Sequence, residues 1–378
     1  MKIFQILPEL NSGGVELCVM ELSKYLTSQG HEAVIISNGG RMVESLAAMN
    51  VRHIAMPVHR KSLASLLQVR TMRKLLEEEK PDIVHIHSRV PGWITYLAWR
   101  NMDPQTRPRL VSTVHGFYSV SPYSAVMTKG ERVIAVSKSI LHYIIEHFPK
   151  ADPSKLQVTY GGIEPELYHK NFAPSDEWLT TWKKEHPQLA GRSIFLLPGR
   201  ITRLKGHGDF FDLIEKLKAE GRSIHGLVVG DTHPKKRDYL KELEASLVEK
   251  KLSADVSFLG YRSDVREIMA VSDVVCALSQ QPESFGRTVL EALAIGRPVL
   301  GYDCGGVGEL LSIIFPEGKV PLGDSTKLLT TARKILAADH HPELAEGSFT
   351  LNSMCENTFA IYQELASTPS SQCVSLNK

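Results

Sequence analysis

Residues 2–37, KIFQILPELNSGGVELCVMELSKYLTSQGHEAVIIS, decide the fold. KIFQIL and EAVIIS are short runs rich in β-branched residues. Between them, GVELCVMELSKYLTSQG repeats its apolar residues at helical spacing and ends at a glycine. Strand, helix, strand in that order is a βαβ unit, which implies a parallel sheet. The alternation continues through DIVHIH (82–87), RLVSTVH (109–115) and RVIAVS (132–137). It restarts near Ser193 with SIFLLPGR, IHGLVVGD, DVSFLG, DVVCALS and RPVLGYD. The expected architecture is α/β: two Rossmann-like, doubly wound domains facing across a cleft. The first is expected over 1–168 and the second over 191–349. Residues 169–190, polar and with two prolines, read as a linker or hinge. A helix is expected over 350–367 and a frayed tail over 368–378. In such sheets ligands bind beyond the carboxyl ends of the strands, so the residues just after each strand carry the search for function.

Composition narrows the classes. The chain has 378 residues, 44 Lys and Arg against 42 Asp and Glu, and a net charge of +2. That length suits two or three domains, and 43% hydrophobic with 23% charged residues excludes global disorder. Near-balanced charge gives no field of the kind that draws nucleic acid, and no nucleic-acid partner is expected. The cysteines at 18, 276, 304, 355 and 373 are scattered without a C-x-x-C, against a zinc site or disulfide framework. No run of about 18 apolar residues is present, so a cytoplasmic location without a membrane span is expected.

Four strand ends carry chemistry. After the first strand, Gly13-Gly14 opens a helix, permitting close backbone approach and presenting unpaired amides. It is not G-x-G-x-x-G, which speaks against a nicotinamide oxidoreductase. After SIFLLP comes Gly199-Arg200-Ile201-Thr202-Arg203-Leu204-Lys205-Gly206, whose cations suit a diphosphate, Arg as a fork and Lys as a point charge. It is not a P-loop. After DVVCALS, Glu283-Ser284-Phe285-Gly286 opens a helix that carries Thr288-Val289 in its first turn, with Glu291 about one and a half turns in from Gly286. A carboxylate there can take the two hydroxyls of a ribose. Finally, Thr113-Val114-His115-Gly116 puts an imidazole at a strand end, where it can meet a substrate hydroxyl or serve packing. His85 and His87 share a strand face; no third metal ligand is evident, so packing or loop support is the expectation.

Together, in this order, the four segments resemble a retaining glycosyltransferase of family 4 with the GT-B fold, similar to transferases of lipopolysaccharide core and other envelope glycans. The resemblance covers essentially the whole chain. Its specific parts are PESFGRTVLEALAIGRPVLGYDCGGVGELL, with two glutamates eight residues apart, and GRITRLKGH upstream. It implies an acceptor-binding first domain, a donor-binding second domain and a closing helix that returns to the first. The co-substrate would be a nucleotide-diphosphate sugar and the acceptor a glycan or glycolipid. Arg200 and Lys205 would clamp the diphosphate, and Glu291 would bind the ribose. Glu283 with the backbone of Ser284, Phe285 and Gly286 would hold the transferred sugar, and Thr288-Val289 would offer amides to the phosphates. His115 would sit on the sugar, the backbone near Tyr261-Arg262 would meet the base, and Gly13-Gly14 would face phosphate and acceptor. The chain has no D-x-D, and the resemblance implies no cofactor and no required metal. A sugar-nucleotide epimerase can share the two-domain shape, and a noncatalytic nucleotide-sugar binding partner is the remaining alternative.

Residues 60–76, RKSLASLLQVRTMRKLL, mix Leu, Val and Met at helical spacing with Arg and Lys, and Trp93, Tyr96 and Trp99 lie near Arg100, Arg107 and Arg109. Residues 60–76 and 93–109 are thus expected either to pack as ordinary βαβ helices or to form a basic face for peripheral contact with an anionic membrane.

Overall fold

The structure, a computed structural model, describes residues 1–11, 13–62, 65, 67–232, 237–338 and 341–368. The expected frayed end beyond residue 368, with Cys373, lies outside the described residues, as do Ser12, Leu63, Ala64 and Leu66. The chain forms two compact units, Met1–Gly162 joined by Phe349–Lys378, and Ile163–Ser348.

The first unit runs β1 (Lys2–Ile6), α1 (Gly14–Ser28), β2 (Glu32–Ser37), β3 (Arg52–Ala55), α2 (Leu67–Glu79), β4 (Ile83–Ile86), α3 (Arg89–Arg100), β5 (Arg109–Val114), β6 (Arg132–Ala135), α4 (Lys138–His147) and β7 (Leu156–Val158). The second runs α5 (Asp176–Glu185), β8 (Ser193–Pro198), α6 (His207–Ala219), β9 (Ile224–Val229), α7 (Arg237–Glu249), β10 (Val256–Gly260), α8 (Val265–Ala270), β11 (Val274–Ala277), α9 (Arg287–Ala294), β12 (Val299–Tyr302), α10 (Gly305–Ile314), β13 (Lys319–Val320) and α11 (Ser325–Ala337). The final helix, α12 (Leu351–Ser367), belongs to the first unit.

Both sheets are parallel, ordered β3-β2-β1-β4-β5-β6-β7 and β10-β9-β8-β11-β12-β13. The central strands read as unbroken apolar runs because helices cover both faces: β4, β5 and β9 are buried at every position. Three strands escaped the sequence reading, β3 (RHIA), β7 (LQV) and β13 (KV), and each lies at a sheet edge. Edge strands are short and partly polar because one side of their backbone is unpaired, so they lack the apolar run that betrays a central strand.

The segment 169–190, read as a linker, is structured and belongs to the second unit. It contains α5, capped by Ser175, whose hydroxyl accepts from the Trp178 amide, and Trp182 is buried. Its prolines sit ahead of the cap and just after the helix, where they end structure without breaking it. The helix α12 starts at Thr350, whose hydroxyl accepts from the Ser353 amide, and buries Met354, Cys355, Ile361, Tyr362 and Leu365 against the first unit's core beside Val19, Leu22 and Leu26.

Strand order reverses between β1 and β4 in the first unit and between β8 and β11 in the second. The loops leaving these strands diverge to opposite sides and leave a crevice at their carboxyl ends. That crevice is where the second unit gathers most of its predicted residues.

Candidate active site

In the second unit, Lys205 follows β8 and Glu283 follows β11, 78 positions apart in sequence but on neighbouring strands at the reversal point. Lys205 Nζ donates to Glu283 Oε1 at 2.7 Å, and the Ser279 hydroxyl donates to the same oxygen. Both ionic side chains are about three-quarters covered, so the pair is only partly screened by solvent.

The backbone explains how the loops hold these groups. Gly206 ends a short 3-10 turn (Arg203–Lys205) at φ 70°, and a Cβ there would lie 2.0 Å from the Leu278 carbonyl oxygen. The Gln280 amide donates to the Leu204 carbonyl at 2.8 Å, strapping the two loops together. Glycine is required here both for the left-handed conformation and for the contact. On the other side, Glu283 bridges to Gly305, and the Gly306 amide donates to the Glu283 carbonyl at 2.7 Å. A Cβ at Gly306 would fall 2.5 Å from the Phe285 backbone. The glycines of DCGGVG therefore seat the Glu283–Gly286 loop under α10.

Arg200 is exposed, and no described side chain pairs with its guanidinium. Together with Lys205, Arg203, Tyr239 and Glu283 it lines an open depression of about 650 Å³. Arg203 is engaged otherwise: both Glu242 oxygens accept from it at 2.6 Å, and it stacks over Tyr239. Gly286, at φ 91°, caps the start of α9, so Thr288 and Val289 lie in its first turn, with Val289 buried. Glu291 meets Arg287 at 3.1 Å across one turn. Tyr168 lies beside it, its hydroxyl pushed up to about 12 chiefly by burial and next by the Glu291 charge. Tyr261, after β10, is 71% exposed. Arg262 is held by Asp264, whose oxygens accept at 2.8 and 2.6 Å, and Trp178 Nε1 of α5 donates to the same carboxylate at 2.8 Å. The supposed linker thus buttresses the Tyr261-Arg262 loop. Asp264, Ser279 and Tyr168 were not singled out in the sequence; only their places next to strand ends could have flagged the first two.

In the first unit, Gly13 (φ 154°) precedes α1, and a Cβ on it would meet the Glu16 carboxylate at 2.6 Å. His115 follows β5 and is partly buried; its ring nitrogen Nε2 lies 3.0 Å from His87 Nδ1. His87 Nε2 lies 3.1 Å from Gln5 Oε1. His85 is buried between Thr113 and Tyr362 of α12, both at 2.6 Å. Burial lowers all three imidazoles, His85 to about 3 and His115 to about 4. Among the described residues no group of three or more metal-binding side chains is gathered. His85 and His87 are both held by hydrogen bonds within the first unit.

The apolar side of α2 faces the core: Met72 and Leu76 are buried, with Val69 and Leu75 packed against them. Trp99 is buried, its indole donating to the Pro108 carbonyl, and Arg107 stacks on it at 3.5 Å. What remains outside is an apolar recess of about 190 Å³ lined by Val90, Trp93, Ile94, Leu97 and Tyr123, with Arg60 and Lys61 at its edge. No described helix is long and apolar enough to cross a membrane.

Both units are doubly wound, and the second sets a cation-carboxylate pair at the point where its strand order reverses. Residues 12–167 match the family described as Glycosyltransferase Family 4, and residues 180–313 match Glycosyl transferases group 1. The chain belongs to glycosyltransferase family 4 and has the GT-B fold. It is 27% identical over 337 residues to the N-acetyl-alpha-D-glucosaminyl L-malate synthase of Bacillus anthracis, covering 86% of this chain and 84% of that one. A crystal structure of a glycosyltransferase from Rickettsia africae matches with TM-score 0.84 and 27% identity, over 97% of this chain and 99% of that one. Anabaena HepE in complex with UDP and glucose matches in fold with TM-score 0.72 at 22% identity, over 100% and 99%. The protein is a glycosyltransferase.

Proposed function

We propose that the protein transfers a sugar from a nucleotide-diphosphate sugar, with retention of anomeric configuration and without a required metal, to a glycan or glycolipid of the cell envelope. The observation that carries the donor half is the Lys205–Glu283 pair at the reversal point, with unpaired Arg200 beside it. Arg200 and Lys205 would bind the diphosphate and stabilise the charge that builds on it as the glycosidic bond breaks. The first-turn amide of α9 at Thr288 would add to that field, while the Val289 amide, also expected to do so, already donates to the Gly286 carbonyl at 2.9 Å. Glu283, with Ser284, Phe285 and Gly286, would hold the sugar hydroxyls. Glu291, steadied by Arg287, would take the ribose, and the exposed Tyr261 with Arg262 would meet the base. His115 would contact the transferred sugar, and Gly13-Gly14 the phosphate and acceptor. Retention without a placed nucleophile would follow a front-face route in which the departing diphosphate assists the incoming hydroxyl.

The test is a panel of UDP-glucose, UDP-galactose, UDP-N-acetylglucosamine and GDP-mannose read by thermal shift and then by transfer. A bound donor raises the melting temperature by mass action. Lys205→Ala or Glu283→Ala is expected nearly to abolish transfer with folding intact; unchanged turnover in either overturns the roles.

For the acceptor, the apolar recess edged by Arg60 and Lys61 supports peripheral contact with an anionic leaflet from the cytoplasmic side. Flotation with anionic liposomes checks it. No binding at physiological salt refutes it.

A further inference from the structure

This inference rests on the reading that His115 touches the transferred sugar, and it concerns what fixes the chemistry of that ring. Gln5 lies on β1, beside β4, with its side chain buried. Its Nε2 is 3.2 Å from the Val19 carbonyl of α1 and 2.6 Å from the Ser23 hydroxyl. A carbonyl only accepts, so the amide nitrogen must face α1 and Oε1 must face His87. Oε1 only accepts as well, so the proton between the two groups belongs to His87 Nε2, 3.1 Å away.

A neutral imidazole carries one N–H, so His87 Nδ1 bears a lone pair. The His115 nitrogen 3.0 Å from it, Nε2, must then donate. His115 Nδ1 is left as the lone-pair nitrogen. Neutrality matters, because an imidazolium at His87 would donate from Nδ1 and reverse the His115 tautomer. Burial of His87 and His115 disfavours that charge. His115 Nδ1 has no hydrogen-bond partner among the described residues. Unlike the sealed Nδ1 atoms of His207 and His225, it is open to solvent.

We propose that Gln5 and His87 are positioning residues that lock His115 in the Nε2–H tautomer, making Nδ1 an obligate acceptor for one hydroxyl of the transferred sugar. The geometry is relayed from the backbone of α1 through two buried side chains to the partly open ring. The consequence is selectivity: a sugar offering a hydroxyl donor at that position is held, and one carrying fluorine or hydrogen there is not.

Nitrogen-15 NMR of the histidine-labelled full-length protein, with His115 assigned by His115→Gln, reads the tautomer without any ligand. A His115 protonated at Nε2 and bare at Nδ1 is expected. Gln5→Leu removes the acceptor that holds the proton on His87 Nε2, so the proton should move to His87 Nδ1 and the His115 proton from Nε2 to Nδ1. A wild-type His115 protonated at Nδ1, or no change in Gln5→Leu, overturns the proposal. In kinetics with the panel donor that is turned over, His87→Leu should lower kcat/KM by about tenfold to a hundredfold through loss of ring positioning. His87→Asn, whose Oδ1 can replace Nδ1 as acceptor, should restore most of that loss. In a His115→Ala background His87→Leu should add nothing, because the two act through one contact. If His115→Ala alone leaves transfer unchanged, the sugar-contact reading fails while the NMR result stands independently.

Discussion

Glu283→Gln and Lys205→Met should move nucleoside diphosphate affinity in opposite directions. Lys205 Nζ lies 2.7 Å from Glu283 Oε1, so in the ligand-free protein half of the clamp's charge is already neutralised. An incoming diphosphate must share that cation with a carboxylate whose own charge repels it. Glutamine keeps the shape and can still accept from Lys205 and Ser279, but it removes the repulsion. With both side chains about three-quarters covered, the effective dielectric lies between the water and interior limits. One carboxylate some 4–6 Å from a phosphate is then worth about 1–2 kcal/mol, or about 5- to 30-fold in affinity. Isothermal titration with the nucleoside diphosphate of the cognate donor should show Glu283→Gln binding tighter by that factor and Lys205→Met weaker. Transfer should fall in both, by about 10²- to 10³-fold in Lys205→Met, where charge on the leaving diphosphate loses its stabiliser. In Glu283→Gln it should fall by about 10- to 100-fold, the value of a hydrogen bond to a charged group. Weaker diphosphate binding in Glu283→Gln would refute the reasoning, since it would mean the carboxylate helps hold the phosphate site rather than competing for its lysine.

Gly206→Ala should lower the melting temperature and weaken donor binding together. The left-handed conformation alone costs about 1–2 kcal/mol for a residue with a Cβ, and the 2.0 Å approach to the Leu278 carbonyl oxygen forces apart the two loops that carry Lys205 and Glu283. A variant with native melting and native affinity would refute it. Stability should also fall with acid. Burial holds His115, His207 and His225 at about 4 in the folded protein against an ordinary value of 6.5. Between 6.5 and 4 the unfolded chain therefore binds more protons than the folded one, so stability is full above about 6.5 and declines as pH drops towards 4. Denaturant midpoints at pH 7.5, 6 and 5 should descend in that order, and a flat profile would contradict the buried neutral state.

How much was legible divides along physical lines. Fully buried strands such as SIFLLP and RLVSTV announce themselves, because a parallel sheet covered on both faces demands an unbroken apolar run. The loops after them were found for the same reason, and from them came Lys205, Glu283 and His115 as candidates. What no linear pattern carries is which strand lies beside which. The sheet order makes β8 and β11 neighbours and so brings Lys205 to Glu283. It likewise sets β1 against β4, and so Gln5 against His87, across 82 positions. The segment 169–190 misled because its polar face and prolines dominate the composition, while its two tryptophans find their partners, Asp264 and Arg262, only in the folded unit. By itself the sequence determined the two βα series, the family and the residue types at each strand end. The tertiary structure alone decided their pairings, the buttressing helix and the tautomer of a histidine, because each depends on distances between residues far apart in the chain.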